Sequence, residues 1–321
     1  MDNSPYLVIF VLNRNSNMLK KIIIISLIVC LGGIVVLTFF FLKKQQVKQD
    51  FQSIKAVPIN SFCIVTINNI PQFFKTTLSD NQMWQNISGL PTVMSLNNGI
   101  KEIETICGKK ILQTGLLDNK TMHISMHYTG NSDFNFLFTV GLETESNSDK
   151  FMDELTSSIN NNFEIKNYVY DNINVYNITS KTDPTKHYYF AAISNMFICS
   201  KAKMLVQSSI GQIIANESLL KDESFKLVYN SSDRQKIANI FINYKTLPKF
   251  LSFYASNQYY KSVAQTSKLA NWAELDLILK NNEILLNGYI TTDSLSDNFF
   301  HLFSDQEPVN FEISEIIPSS A

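Results

Sequence analysis

Residues 272–291 read WAELDLILKNNEILLNGYIT, and this stretch decides the fold class. Ala273, Leu275, Leu277 and Leu279 share one parity, while Glu274, Asp276 and Lys280 share the other. A period of two belongs to a β-strand, whose successive side chains point to opposite faces. EILLNGYIT then returns after Asn281-Asn282, and asparagine tolerates the positive φ that a two-residue hairpin turn demands. The pattern predicts an antiparallel sheet with one dry face and one wet face.

Three more hairpins precede it. TMHISMHY and FNFLFTVGLE flank a turn at Gly130-Asn131, FEIKNYVY and INVYNIT flank Asp171-Asn172, and YYFAAI and MFICS flank Ser194-Asn195. SFCIVTIN (61–68) reads as a buried strand, and Pro71 opens a short helix in PQFFKTTL. Val93, Leu96, Ile100, Ile103, Ile106 and Ile111 recur near the helical period. With further helices over 148–160 and 201–215, the class is α+β.

The hairpins also repeat. TESNSDKFMDELTSSINNNFEI (144–165) aligns without gaps to TDSLSDNFFHLFSDQEPVNFEI (292–313), with nine identities including Ser148, Asp149, Phe151 and Phe163. Both segments follow the second strand of a hairpin, and Ser-Asp near Ser148 and Ser296 is a plausible helix N-cap. IVTINNIPQFF (64–74) has a weaker echo in IFINYKTLPKFL (240–251). The chain therefore divides into two related α+β units, 56–235 and 236–321, the second reading as incomplete. Phe151 and Phe299 are expected to anchor equivalent helices to the sheet.

The N-terminal part has a different character. Ile22 to Leu42 carries no charge over about 21 residues, roughly 31 Å as a helix, which matches the hydrocarbon core of a bilayer. A cleaved signal has a shorter apolar core and a small-residue cleavage site. Cys30 follows Leu-Ile-Val, a sequence close to a lipobox, but Val29 is branched where that signal needs a small residue. The segment reads as an uncleaved transmembrane helix (22–42) between a cytoplasmic segment (1–21) and a tether (43–55). Flanking lysines and Arg14 nearly balance, so an N-inside orientation rests on the segment's closeness to the N-terminus.

Beyond it lie roughly 280 residues, enough for a real core. Hydrophobic content of 45% argues for globular folding, and a net charge of −1 gives no reason to expect nucleic acid. Asparagine is so common that the five Asn-x-Ser/Thr sequons (Asn86, Asn119, Asn177, Asn216, Asn230) match chance. Cys63, Cys107 and Cys199 sit among apolar residues with no C-x-x-C spacing, so they read as buried thiols with room for at most one bridge.

The terminal anchor, the strand followed by IPQFF, MFICSKAKMLVQSSIGQIIANESLLKDESF and the hairpin ending LNGYITTDS together resemble an uncharacterised family of single-pass envelope proteins from anaerobic Gram-negative bacteria. The resemblance covers most of the chain through diffuse patterns. It implies a location more than an activity: the inner (cytoplasmic) membrane, with the C-terminal domain in the periplasm.

Candidate chemistry is sparse. His123 and His127 lie on one strand face about 13 Å apart, too far for one metal ion, and read as surface or half-buried histidines. Ser200-Lys-Ala-Lys203 has the S-x-x-K spacing of penicillin-binding enzymes, and Ser-Asp-Asn occurs twice, but no Lys-Thr-Gly follows. Cys107-Gly-Lys-Lys lacks the first glycine and the hydroxyl of a phosphate loop. Glu102 and Glu104 diverge on a helix, and YVYDNINVY reads as ordinary sheet surface.

The expectation is thus a non-enzymatic envelope protein with no catalytic, cofactor or metal site. Its partners are the bilayer through 22–42 and another envelope protein. A module for a small or lipidic ligand and a hydrolase with a dispersed site are the alternatives. If residues beyond Lys44 face the periplasm, a membrane-impermeant protease should digest the domain in spheroplasts; survival of the domain beside a degraded periplasmic control would reject that orientation.

Overall fold

The computed structural model describes residues 53–75, 82–90, 120–130, 133–142, 145–159, 162–280, 283–292 and 298–304, with isolated positions at 93, 94, 98 and 306. The expected transmembrane helix, Cys107, Glu102, Glu104 and most of the 93–111 helix lie outside these residues. Among the described residues no helix is long and apolar enough to cross a membrane.

Within the compact unit Gln52–Ala321, ten strands form one antiparallel sheet: β1 Cys63–Ile67, β2 Met122–Tyr128, β3 Phe134–Gly141, β4 Phe163–Tyr170, β5 Ile173–Ser180, β6 His187–Ile193, β7 Met196–Ser200, β8 Ala238–Asn243, β9 Trp272–Lys280 and β10 Glu283–Thr291. Their order across the sheet is β10-β9-β8-β1-β2-β3-β7-β6-β5-β4. Every hairpin expected from the sequence is present. At two turns the reason is visible: Asp171 and Asn172 have φ of 46° and 63°, and Ser194 and Asn195 have 48° and 63°. Two consecutive positive φ values match the right-handed twist of the flanking strands.

Helices among the described residues include α1 Ile70–Lys75, α2 Gln82–Ile87, α3 Glu145–Ser158, α4 Lys203–Ile214, α5 Glu223–Ser231, α6 Leu247–Ser252 and α7 Tyr260–Gln265. They cover both faces of the sheet. On one, Ile70 and Phe73 of α1 and Phe151, Met152 and Leu155 of α3 join Ile67, Ile124, Phe138, Val140, Phe190 and Leu277 in a single core. On the other, Leu205, Val206 and Ile210 of α4 pack on Leu137, Val175, Ala191 and Ile198. Tyr168 and Tyr170 border this second core, so the Tyr-rich hairpin serves packing. Helix α5 lies over β8, β9 and β10, where the Phe225 ring stacks on Tyr229 (5.4 Å), meets Trp272 edge-on (4.8 Å) and tilts against Phe241 (5.6 Å). Asp222 fixes the start of α5. Its Oδ1 accepts from the amides of Ser224 and Phe225, and its Oδ2 accepts from Trp272 Nε1 at 3.1 Å.

This arrangement corrects the wet face expected for β9. Glu274 has no exposed surface, because α5 covers the side that alternation alone assigned to water.

The internal repeat takes the form of a topological one. Strand, Pro-containing helix and hairpin recur as β1-α1-β2-β3 and β8-α6-β9-β10, and the two sets meet where β1 pairs antiparallel with β8. The boundary at 235/236 falls between α5 and β8, within one continuous sheet. Two finer expectations are corrected. Helix α3 begins at Glu145, so Ser148 is a buried first-turn residue and does not cap it. Its sequence counterpart is a 3₁₀ turn, Phe299–Phe303, started by Asn298, and Ser296 lies outside the described residues, as does the second Asn-Phe-Glu-Ile at 310–313. Phe151 is 4% exposed and packs on Phe197 of β7 at 5.0 Å, whereas Phe299 is 50% exposed. The reason is positional: among the described residues no strand stands beside β10 as β7 stands beside β3.

Gly288 shows how tightly β9 and β10 approach. A Cβ there would fall 1.7 Å from the Glu274 carbonyl oxygen, a backbone atom that cannot swing away. Gly288→Ala should destabilise the domain by about 1–3 kcal/mol, the usual cost of overpacking, read as a lower denaturant midpoint. An unchanged midpoint would show that the two strands can separate freely.

Candidate functional site

The registers bring polar residues into one row. Asp276 of β9 faces Asn239 of β8, Asn239 faces Thr66 of β1, Thr66 faces His123 of β2, and His123 faces Thr139 of β3. Glu274, Ser125 and His127 stand two or four residues along on the same face, since strand parity is two. Apolar residues occupy the opposite parity, so five strands contribute a polar stripe to a face that helices and the segment before β1 then cover.

Burial forces each member to find a partner. His123 has no exposed surface; its Nδ1 lies 2.8 Å from Thr66 Oγ1 and its Nε2 lies 3.0 Å from Ser53 Oγ. Thr139 Oγ1 donates to the Ser53 carbonyl at 3.3 Å, tying the entry segment to the sheet. His127 is equally buried. Its Nδ1 lies 2.9 Å from Asn60 Oδ1, an acceptor, so Nδ1 carries the hydrogen and Nε2 accepts from Ser125 Oγ at 2.8 Å. Desolvation holds His127 neutral and pushes its pKa down to about 3.

At the other end of the stripe, Asn239 Nδ2 donates to Asp276 Oδ1 (2.5 Å) and Glu274 Oε1 (3.2 Å), while its own Oδ1 accepts from Asn68 Nδ2 at 2.7 Å. The Asp233 amide adds a 3.0 Å bond to Asp276 Oδ1. Burial is the main cause that raises the Glu274 pKa to about 8; the hydrogen bond to Asp276 and its charge raise it further, against Asn239 and Arg234. Glu274 is therefore protonated near neutrality, and its Oε2 has no hydrogen-bond partner among the described residues.

Chemically, this stripe contains a Ser–His contact and a carboxyl–carboxylate pair, two ingredients of hydrolytic sites. Neither is placed for substrate. Ser125, His123, His127 and Glu274 have no exposed surface. The neighbouring surface recess, lined by Asn60, Phe62, Tyr128, Thr246, Lys249, Phe250 and Phe253, holds about 110 Å³. Ligand sites for drug-sized molecules run from roughly 300 Å³ upward. Among the described residues no group of three His, Cys, Asp or Glu could hold a metal ion.

His123 and His127 do lie on a strand and share a face, but they are buried where surface or half-buried positions were expected. Ser200 closes β7 and donates to the Phe136 carbonyl at 2.7 Å while accepting from the Ala202 amide. Lys203 is turned away, with Nζ 4.4 Å from the centre of the Tyr168 ring. S-x-x-K is here a strand end and a helix start. Cys63 is a free thiol whose pKa burial pushes up to about 12, and Cys199 is buried in β7. Sequence reasoning missed Glu274, Asp276 and Asn239. The signal was present as in-phase polar residues in ANIFIN and WAELDLILK, but alternation cannot distinguish water from a covering helix.

No protein family, curated protein or solved structure matches the chain.

The stripe sets a pH profile. Unfolded Glu274 ionises above about pH 4.5 while the folded group keeps its proton to about 8, so stability falls as pH rises through that window. His127 acts oppositely: the unfolded ring takes a proton below about 6.5 and the folded ring refuses it down to about 3, so stability falls with falling pH. Each contributes up to about 1.4 kcal/mol per pH unit. Denaturant unfolding should show greatest stability between about pH 4.5 and 6.5. Glu274→Gln should flatten the alkaline decline and leave pH 5 nearly unchanged. A decline that persists in this variant would assign it to another group.

Proposed function

We propose that this is a non-enzymatic, single-pass envelope protein: residues 22–42 lie in the inner membrane, and the sheet domain stands in the periplasm and binds another envelope protein. The uncharged span and the resemblance to single-pass envelope proteins support the location. The binding role rests on one observation, three exposed tyrosines (Tyr254, Tyr259, Tyr260) in the helical excursion between β8 and β9. Tyrosine offers a large apolar body with a polar tip, which suits it to contacts that form and release in water. In the polar stripe Ser125, His123, His127 and Glu274 face inward, which favours binding over hydrolysis at that place.

Replacing Tyr259 with a photo-crosslinking amino acid in intact cells should yield an adduct with one other envelope protein. Tyr254→Ala together with Tyr260→Ala should abolish that adduct without changing the amount of the chain. Labelling that is absent, or spread evenly over many proteins, would reject the binding role.

A further inference from the structure

The two ends of the sheet differ. At the β4 end, Glu164 and Lys166 lie within the strand and pair at 3.2 Å, and charges of this kind discourage strand addition. At the β10 end the only charged residue is Glu283, at the first position, where it pairs with Lys280 at 3.3 Å. From Ile284 to Thr291 the edge is uncharged, and Leu285, Leu286, Tyr289 and Ile290 are exposed. After it in the chain, Phe299, Leu302 and Phe303 of the 3₁₀ turn are exposed as well.

The internal repeat identifies what such an edge accepts. Matching Ile-Asn at the ends of β1 and β8 makes the Val65–Ile240 pair its own equivalent. Ile124 and Leu275 stand opposite that pair, and Phe138 and Gly288 stand opposite them. Two residues on, Val140 corresponds to Ile290. In the first set Val140 faces Phe197 of β7, the residue that covers Phe151. Among the described residues no strand fills that place in the second set, and Phe299, the sequence counterpart of Phe151, is half exposed.

We infer that the β10 edge pairs antiparallel with β10 of a second copy of this chain, about a two-fold axis at Asn287. The strand is complementary to itself in that register: Ile284 meets Ile290, Leu285 meets Tyr289, Leu286 meets Gly288, Asn287 meets Asn287, and Glu283 meets Thr291. No like charges oppose each other, and parity keeps each side chain on its own face. The partner's Ile284, opposite Ile290, takes the position that Phe197 takes opposite Val140, and so shields Phe299. This contact uses β10, whereas the three tyrosines belong to the excursion between β8 and β9.

Full chain in detergent tests it. Asn287→Cys should form a disulfide-linked dimer on oxidation, because residues directly opposite at the axis lie about 4.5–5.5 Å apart, within disulfide range. Glu283→Cys should not, its two copies being about 26 Å apart along the strands. The unsubstituted chain, with its own four cysteines, is the control. Light scattering should give twice the chain mass. Ile290→Lys should halve it while leaving the thermal unfolding midpoint within a few degrees, since Ile290 is already exposed. A monomer in the unsubstituted chain, or equal crosslinking at 283 and 287, overturns the pairing. A heterologous adduct at Tyr259 alongside a monomer would spare the binding role and reject only this inference.

Discussion

The β1–β8 pairing is the joint on which the sheet depends. Five residue pairs, from Cys63–Ile242 to Ile67–Ala238, connect strands more than 170 positions apart and fuse two three-stranded sets into one surface. Bonds at its ends reinforce it. The Asn243 amide donates to the Phe62 carbonyl, the Asn68 amide donates to the Ile237 carbonyl, and Asn68 Nδ2 reaches the Lys236 carbonyl. Without this pair each set would expose a central strand on both its edge and its faces. With it, α1 and α3 on one side and α5 on the other have a continuous floor to cover.

A joint of this kind must also be in register, and the polar stripe supplies that. A slip of one residue would carry Thr66 and Asn239 to the apolar face and send Val65 and Ile240 toward His123 and Asp276. Buried hydrogen-bonding groups left without partners cost roughly 1–3 kcal/mol each, so wrong registers are heavily penalised even where apolar area would be similar. The stripe therefore gives uniqueness more than net stability. Its titrating members show the cost of that arrangement: His127 and Glu274 are each held in a neutral form that water would not favour over the whole pH range.

How far the sequence could be read depended on the range of the interaction. Hairpins at Asp171-Asn172 and Ser194-Asn195 were legible because turn and strands lie within 163–180 and 187–200 and depend on backbone torsions. The repeat of strand, helix and hairpin was legible for the same reason. Local sequence could not show that the polar parity of β9 would be buried, because its cover, α5, lies some 40 residues upstream and is tied there by Asp222 and Trp272. Nor could it show that Ser53 would reach His123 from 70 residues away.

By itself, then, the sequence determined the strands, their two-residue turns and the α+β class, all of which follow from side-chain parity and short-range torsional preference. The tertiary structure decided the sheet order, the meeting of β1 with β8 and the sealing of His123, His127 and Glu274. It also decided the fate of equivalent residues: Phe151 is buried and Phe299 is not, although Ser-Asp-x-Phe leads to both. Burial is a property of what lies across from a side chain, and for Phe151 that is Phe197 on a strand brought alongside by a separate hairpin.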